Sequence, residues 1–150
     1  MKLSSPSFIH EGMIPSPFTC DGINKSPELV WGDVPAGTQS FALIVDDPDA
    51  PHGTWVHWVV YNIPAEITSF SEGITEFPKF GIQGSNSFNG QTDYGGPCPP
   101  SGTHRYYFKL YALDTILELS NGVSKEAVEA AIKGHILSEA TLMGRYERCP

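Results

Sequence analysis

The sequence predicts a mostly β protein, and three observations carry that prediction. Thirteen prolines and fifteen glycines in 150 residues argue for short elements joined by many turns. Three segments, Ser40–Asp46, Trp55–Ile63 and His104–Leu113, read as strands from apolar runs or from alternation with period two. Against six or more expected strands stands one convincing helix, after Gly122.

Taken in order, residues 1–39 carry Pro6, Pro15, Pro17, Pro27 and Pro35, a spacing that forbids any long helix. Short strands are expected around Phe8–His10 and Leu29–Trp31. Ser40–Asp46 is almost continuously apolar, so it is expected to be a central strand covered on both faces. Trp55–Ile63 (WVHWVVYNI) is rich in β-branched and aromatic residues and reads as its neighbour. From Pro64 to Gly102 the chain is mostly glycine, proline, serine and asparagine. A stretch that long in a compact protein is functional or hides short strands. In His104–Leu113, Tyr106, Phe108, Leu110 and Ala112 share one face, and Arg105, Tyr107, Lys109 and Tyr111 the other. Ser124 is the expected N-cap of the helix, with Glu126 in its first turn. Ala127, Val128, Ala131, Ile132, His135 and Ile136 form an amphipathic stripe that ends near Leu137. Residues 140–146 (ATLMGRY) are expected to close the molecule as a last strand.

Composition excludes several function classes. A net charge of −8 with no Lys/Arg cluster lacks the footprint of a nucleic-acid binder. No apolar run approaches the roughly 18–20 residues that span a bilayer. The N-terminus, MKLSSPSFIHEG, has no apolar core of a secretory signal, so a cytoplasmic protein is expected. Cys20, Cys98 and Cys149 form no metal-binding pattern, and no cofactor is implied. An odd count in such a chain favours free thiols. Cys20 and Cys98 both lie in loop contexts, and spacing alone neither makes nor excludes a bridge between them.

The chemistry concentrates in two clusters. The first is DPDAPHGTWVHW (47–58), in which an apolar strand ends in aspartates and a second begins beside a histidine. Pro48 and Pro51 fix their own φ and extend the residues before them, so Asp47 and Asp49 are displayed on a stiff turn. Alternation places His57 on one face with Trp55 and Val59, not with Trp58. The second cluster is YGGPCPPSGTHRYY (94–107), a rigid Gly/Pro loop that delivers His104 and Tyr106 to one face of a strand. Two imidazoles, a phenol and loop amides suit a small oxyanion. A chain of this charge cannot attract an anion at long range, so recognition has to be local. His10 and His52 are expected at the surface, and His135 on the helix face.

These residues resemble the phosphatidylethanolamine-binding protein family, and most closely its bacterial and archaeal Raf-kinase-inhibitor-like branch. DPDAP (47–51), WVHW (55–58) and GPCPPSGTHRYYF (96–108) carry the likeness. FTCDGINKSPELVW (18–31), GHIL (134–137) and LMGRYER (142–148) extend it over essentially the whole chain, 1–150, as one domain. The resemblance implies an antiparallel β-sandwich with one or two helices near the C-terminus. It also implies a shallow pocket for phosphate, acetate or a phosphorylated head group, with no catalysis. Asp47, Asp49, Trp55, His57, His104 and Tyr106 would form that pocket, completed by backbone around Gly96, Pro97 and Cys98. Val56 stands where eukaryotic members carry the first of paired histidines, and Thr54 where some carry glutamate, so contacts of those groups are not carried over. Ending at Pro150, the chain is expected to lack the extra helix of the mammalian proteins, and kinase inhibition is not transferred with the family name.

The expected function is therefore a non-catalytic binding protein for a small anion or phosphorylated head group such as phosphoethanolamine. The alternative is a regulator that inhibits a protease or kinase through the 64–102 segment. An enzyme is the weakest of the three. There is no HExxH or other close pair of metal ligands, and Cys98 sits among prolines with no helix N-terminus evident to lower its thiol pKa. A homodimer, common in the bacterial branch, is open.

Overall fold

The computed structural model describes residues 1–148. Eight strands and one α-helix follow in the order β1 (Lys2–Ser4), β2 (Leu29–Gly32), β3 (Ser40–Asp47), β4 (Trp55–Pro64), β5 (Ser69–Phe70), β6 (Ile82–Gln83), β7 (His104–Leu113), α1 (Lys125–Ile132) and β8 (Ile136–Tyr146). They make two sheets, β1-β2-β5 and β6-β4-β3-β7-β8, and every neighbouring pair is antiparallel. The mostly β class and the sandwich both hold.

The two faces of the larger sheet bury different things. Phe41, Leu43 and Val45 of β3, with Trp58, Val60, Phe108 and Leu110, meet Leu3, Leu29, Trp31 and Phe70 of the smaller sheet. Ala42 and Ile44, with Val59 and Tyr61, pack on the other side against Leu117 and against Val128 and Ile132 of α1. This is why β3 is apolar without alternation: it lies between β4 and β7, and all eight residues are buried. The long 64–102 stretch does hide two short strands, β5 and β6, that extend one sheet each.

Two expected elements differ. Phe8–His10 is not a strand, and the N-terminal strand lies earlier, at Lys2–Ser4. Phe8 instead sends its ring into the core, 5.7 Å from that of Phe108. The chain beyond it satisfies its backbone on β8, through Glu11 N–H to Met143 O and Ile14 N–H to Arg145 O. The helix also ends five residues before the expected Leu137, at Ile132. Ser124 caps it as expected, its hydroxyl accepting from the Ala127 amide. Gly134, at φ +83°, then turns the chain out of the helix, and Ile136 and Leu137 belong to β8. His135 therefore sits in a turn, its Nδ1 2.8 Å from Asp114 Oδ1, not on a helix face.

Candidate functional site

Strand β3 ends in two aspartates that point to opposite faces. Asp46 turns toward the helix side, where Lys125 Nζ lies 2.9 Å and Lys109 Nζ 3.1 Å from its carboxylate. Asp47 turns the other way, and its Oδ2 accepts from His104 Nδ1 at 2.6 Å. The stiff turn expected after it is present: the Asp49 amide donates back to Asp47 Oδ1 at 2.8 Å. Asp49 itself points away, clamped by Arg105 through Nε–H to Oδ2 at 2.9 Å and Nη2–H to Oδ1 at 2.8 Å. The hydrogen bonds from Arg105 outweigh desolvation and hold the Asp49 carboxyl down at about 2.

His57 owes its position to an irregularity that alternation could not reveal. Val45 pairs with Trp58 while Asp46 pairs with Val56, so His57 is the extra residue of a β-bulge. The bulge separates it from Val59, which packs on the helix side, and brings it against Tyr106 on the inner side with Trp58. The expected face for His57 is thus corrected: it shares the inner side with Trp58, not that of Val59. Its Nδ1 donates to the Gly95 carbonyl at 2.6 Å, and the Gly95 amide returns to the His57 carbonyl at 3.0 Å. Burial lowers the basicity of the ring, against the opposing pull of Gly95 and of the Asp47 and Asp46 charges.

The Gly/Pro loop is held by the N-terminal segment. The Gly96 amide donates to Asn24 Oδ1 at 2.9 Å, and a side chain there would meet Phe18 O at 2.3 Å. The Cys20 amide donates to Pro97 O at 3.1 Å. Cys20 and Cys98 form a disulfide across a sequence separation of 78, with Cα atoms 5.4 Å apart. This overturns the expectation of free thiols for these two: cysteine count carries no record of which loops the fold brings together. Cys149 lies outside the described residues.

Between the two clusters lies a cavity of about 300 Å³. Asp47, Trp55, His57, Cys98, His104 and Tyr106 line it, so both clusters meet in space. Asp49, Gly96 and Pro97 do not line it; the first is taken by Arg105 and the other two brace the loop from behind. Tyr106 stands between the imidazoles, its ring centroid 5.2 Å from that of His57 and 6.4 Å from that of His104. Its side chain is 1 % exposed, and its hydroxyl is the one fully buried polar side-chain atom without a partner among the described residues. Desolvation and the Asp47 charge push its ionisation far up, so it stays a neutral donor. Trp55, 39 % exposed, forms the rim.

Sequence reasoning missed Ala50, Pro51, Pro99, Pro100 and Phe88 as lining residues. The first four lie inside the two motifs. Phe88 sits in polar SNSFNG, and only its edge-to-face contacts with Trp55 and His57 give it a role. A larger cavity, about 460 Å³ beside Phe77 and Gln83, has no ionisable side chain in its lining. Among the described residues no group of three or more His, Cys, Asp or Glu is arranged to hold a metal.

The family model for phosphatidylethanolamine-binding protein matches residues 4–147. The chain belongs to the phosphatidylethanolamine-binding protein family. Within this family it is 51 % identical over 151 residues to a UPF0098 protein of Methanothermobacter thermautotrophicus, covering 99 % of both chains. To the Aquifex aeolicus UPF0098 protein it is 48 % identical, covering 99 % of this chain and 89 % of the other. Two solved structures share the architecture. One is a homologue of this family from Chlamydia trachomatis, with TM-score 0.92, 42 % identity, and 99 % and 97 % of the chains covered. The other is E. coli YbcL, with TM-score 0.91, 34 % identity, and 99 % and 98 % covered. Neither the family description nor these relatives' names carry a catalytic activity. The family resemblance of the sequence thus holds, and the chain is a member of a family of binding proteins. No helix among the described residues is long and apolar enough to cross a membrane.

Proposed function

We propose that this chain, as one domain, is a non-catalytic binding protein whose cavity takes a small oxyanion or the phosphorylated head group of a larger molecule. One observation carries the reading: a buried Tyr106 hydroxyl without a partner, set between two imidazoles inside a cavity. An orphaned buried donor costs about 1–3 kcal/mol, a cost that a ligand oxygen would remove. His104, oriented by Asp47, and His57, oriented by Gly95, present their Nε2 atoms as the other polar contacts. Trp55, Phe88 and the prolines would exclude water around the ligand, and the Gly96–Cys98 loop would hold its wall in place. The disulfide removes Cys98 as a nucleophile while it is closed. It also bears on the cytoplasmic location we retain, because disulfides are rare in reducing compartments. Mass spectrometry of thiol-trapped cell extract decides that point.

The test of binding is a titration with inorganic phosphate and with phosphoethanolamine, followed by NMR of the histidine rings. The signals of His57 and His104, assigned by substitution, are expected to move together and saturate. If neither moves while the protein stays folded, the cavity is not an anion site.

A further inference from the structure

The hydrogens on the two cavity imidazoles follow from their partners. His57 Nδ1 lies 2.6 Å from a backbone carbonyl, which only accepts, so that nitrogen carries the ring hydrogen. Neutral His57 then presents a lone pair at Nε2. His104 Nδ1 faces the Asp47 carboxylate at the same distance, so it too carries a hydrogen. The two rings differ in what stands behind them. A second proton on His104 has a carboxylate in direct contact, whereas one on His57 has only a carbonyl.

The groups around His57 reinforce the contrast. From β3 it faces the charges of Asp47, whose Oδ2 is taken by His104, and of Asp46, which lies on the other face with two lysines. From β7 it faces the neutral phenol of Tyr106, and from the 86–98 segment the Phe88 ring and the carbonyls of Gly95 and Gly96. The ring is 3 % exposed, and burial lowers its basicity. The cavity therefore offers one lone pair at His57, one hydroxyl donor at Tyr106, and at His104 a ring that gains an N–H donor at Nε2 when protonated.

A fully ionised dianion has only acceptor oxygens and would set lone pair against lone pair at His57. A phosphate monoester that keeps one acid hydrogen has the matching set. We infer that the cavity takes a phosphate monoester in its singly protonated form, the ligand P–OH donating to His57 Nε2 while its other oxygens accept from Tyr106 and His104. This rests on the reading of the cavity as an anion site. No covalent bond changes; the ligand hydrogen is shared with the imidazole.

Calorimetric titration of the whole protein with methyl phosphate and with sulfate, from about pH 6 to about pH 9, tests it. Sulfate matches the shape and charge of the phosphate dianion but has no acid hydrogen to bring. Kd for methyl phosphate is expected to rise about tenfold per pH unit above the second pKa of a phosphate monoester, about 6. Sulfate is expected to bind at least about tenfold more weakly near pH 6. His57→Gln, whose amide can turn an N–H to the ligand and does not titrate, is expected to bring the two anions within about threefold of each other at every pH. The wild-type comparison stands even if that variant fails to fold. Equal affinities for the two anions, or a Kd for methyl phosphate that is flat across the range, overturns the protonation inference and leaves anion binding intact. Failure of both anions to bind at any pH overturns both.

Discussion

On the helix side of β3, Asp46 takes ion pairs from Lys109 and Lys125 and fastens α1 to the sheet. One residue later, on the inner side, Asp47 holds a single imidazole, and the polar groups around it face a cavity. The first cluster is satisfied internally. The second leaves a buried hydroxyl without a partner among the described residues, at the wall of a cavity. Two neighbouring carboxylates of equal burial thus serve different ends. The difference teaches that burial alone does not mark a site: unmet hydrogen-bonding capacity around a buried charge does.

The strongest way to break the contrast is to release the staple found only on the cavity side. Opening the Cys20–Cys98 loop by Cys20→Ser with Cys98→Ser is expected to cost about 4.5 kcal/mol, the chain-entropy value for a closed loop of this length. Denaturant midpoints measure it, and anion affinity is expected to fall as the wall loosens. A loss below about 1 kcal/mol would show that hydrogen bonds of Asn24 and Pro97 hold the loop alone.

The next test separates the two aspartates. Asp46→Ala is expected to cost about 2 kcal/mol, less than a fully buried pair because Lys109 reaches solvent, with anion affinity within about twofold. Asp47→Ala is expected to lower anion affinity by about tenfold or more, and to cost about 1–2 kcal/mol by stranding the His104 N–H. Calorimetry and thermal unfolding on both variants read the crossover. Equal effects on affinity would erase the comparison.

Tyr106→Phe sharpens it further. Removing an orphaned hydroxyl is expected to leave stability unchanged or raise it by about 1 kcal/mol, while anion affinity falls about fivefold. A stability loss in the free protein would mean that the hydroxyl already has a partner such as ordered water.

The smallest effects are in pH dependence. Asp49 has its folded value lowered from 3.8 to about 2, so its contribution is present above the ordinary value and lost as pH falls toward about 2. Because the pair with Arg105 is half in water, that slope is expected to be shallow, and Asp49→Asn should remove it with no change in anion affinity. His57 has its basicity lowered in the folded state, so its contribution is present above its ordinary 6.5 and lost as pH falls below it. His57→Gln should flatten that second window in acid unfolding curves.

Much of the fold was legible because its signals are local. The apolar run of β3, the alternation of β7 and the serine cap of α1 each follow from residues within a few positions of one another. The early helix end was also legible, in Gly134, but the apolar stripe running on through Ile136 masked it. The motifs DPDAP and GPCPPSGTHRYY named most of the cavity lining. They did not show that Asp49 would be taken by Arg105, nor that Phe88 would close the wall, since both depend on partners far along the chain.

By itself, then, the sequence determined the strands, the stiff turn after Asp47, the loop before His104 and the kind of side chains available for an anion. Those are consequences of backbone sterics and hydrophobic period, which act between near neighbours. Tertiary structure alone decided that Asp46 and Asp47 part company, that a bulge turns His57 inward, that Cys20 reaches Cys98, and that Tyr106 is left with a hydroxyl that nothing among the described residues satisfies. Each of these is set by strand register and by contacts between segments tens of residues apart, where a shift of one position reverses the face on which a side chain lies.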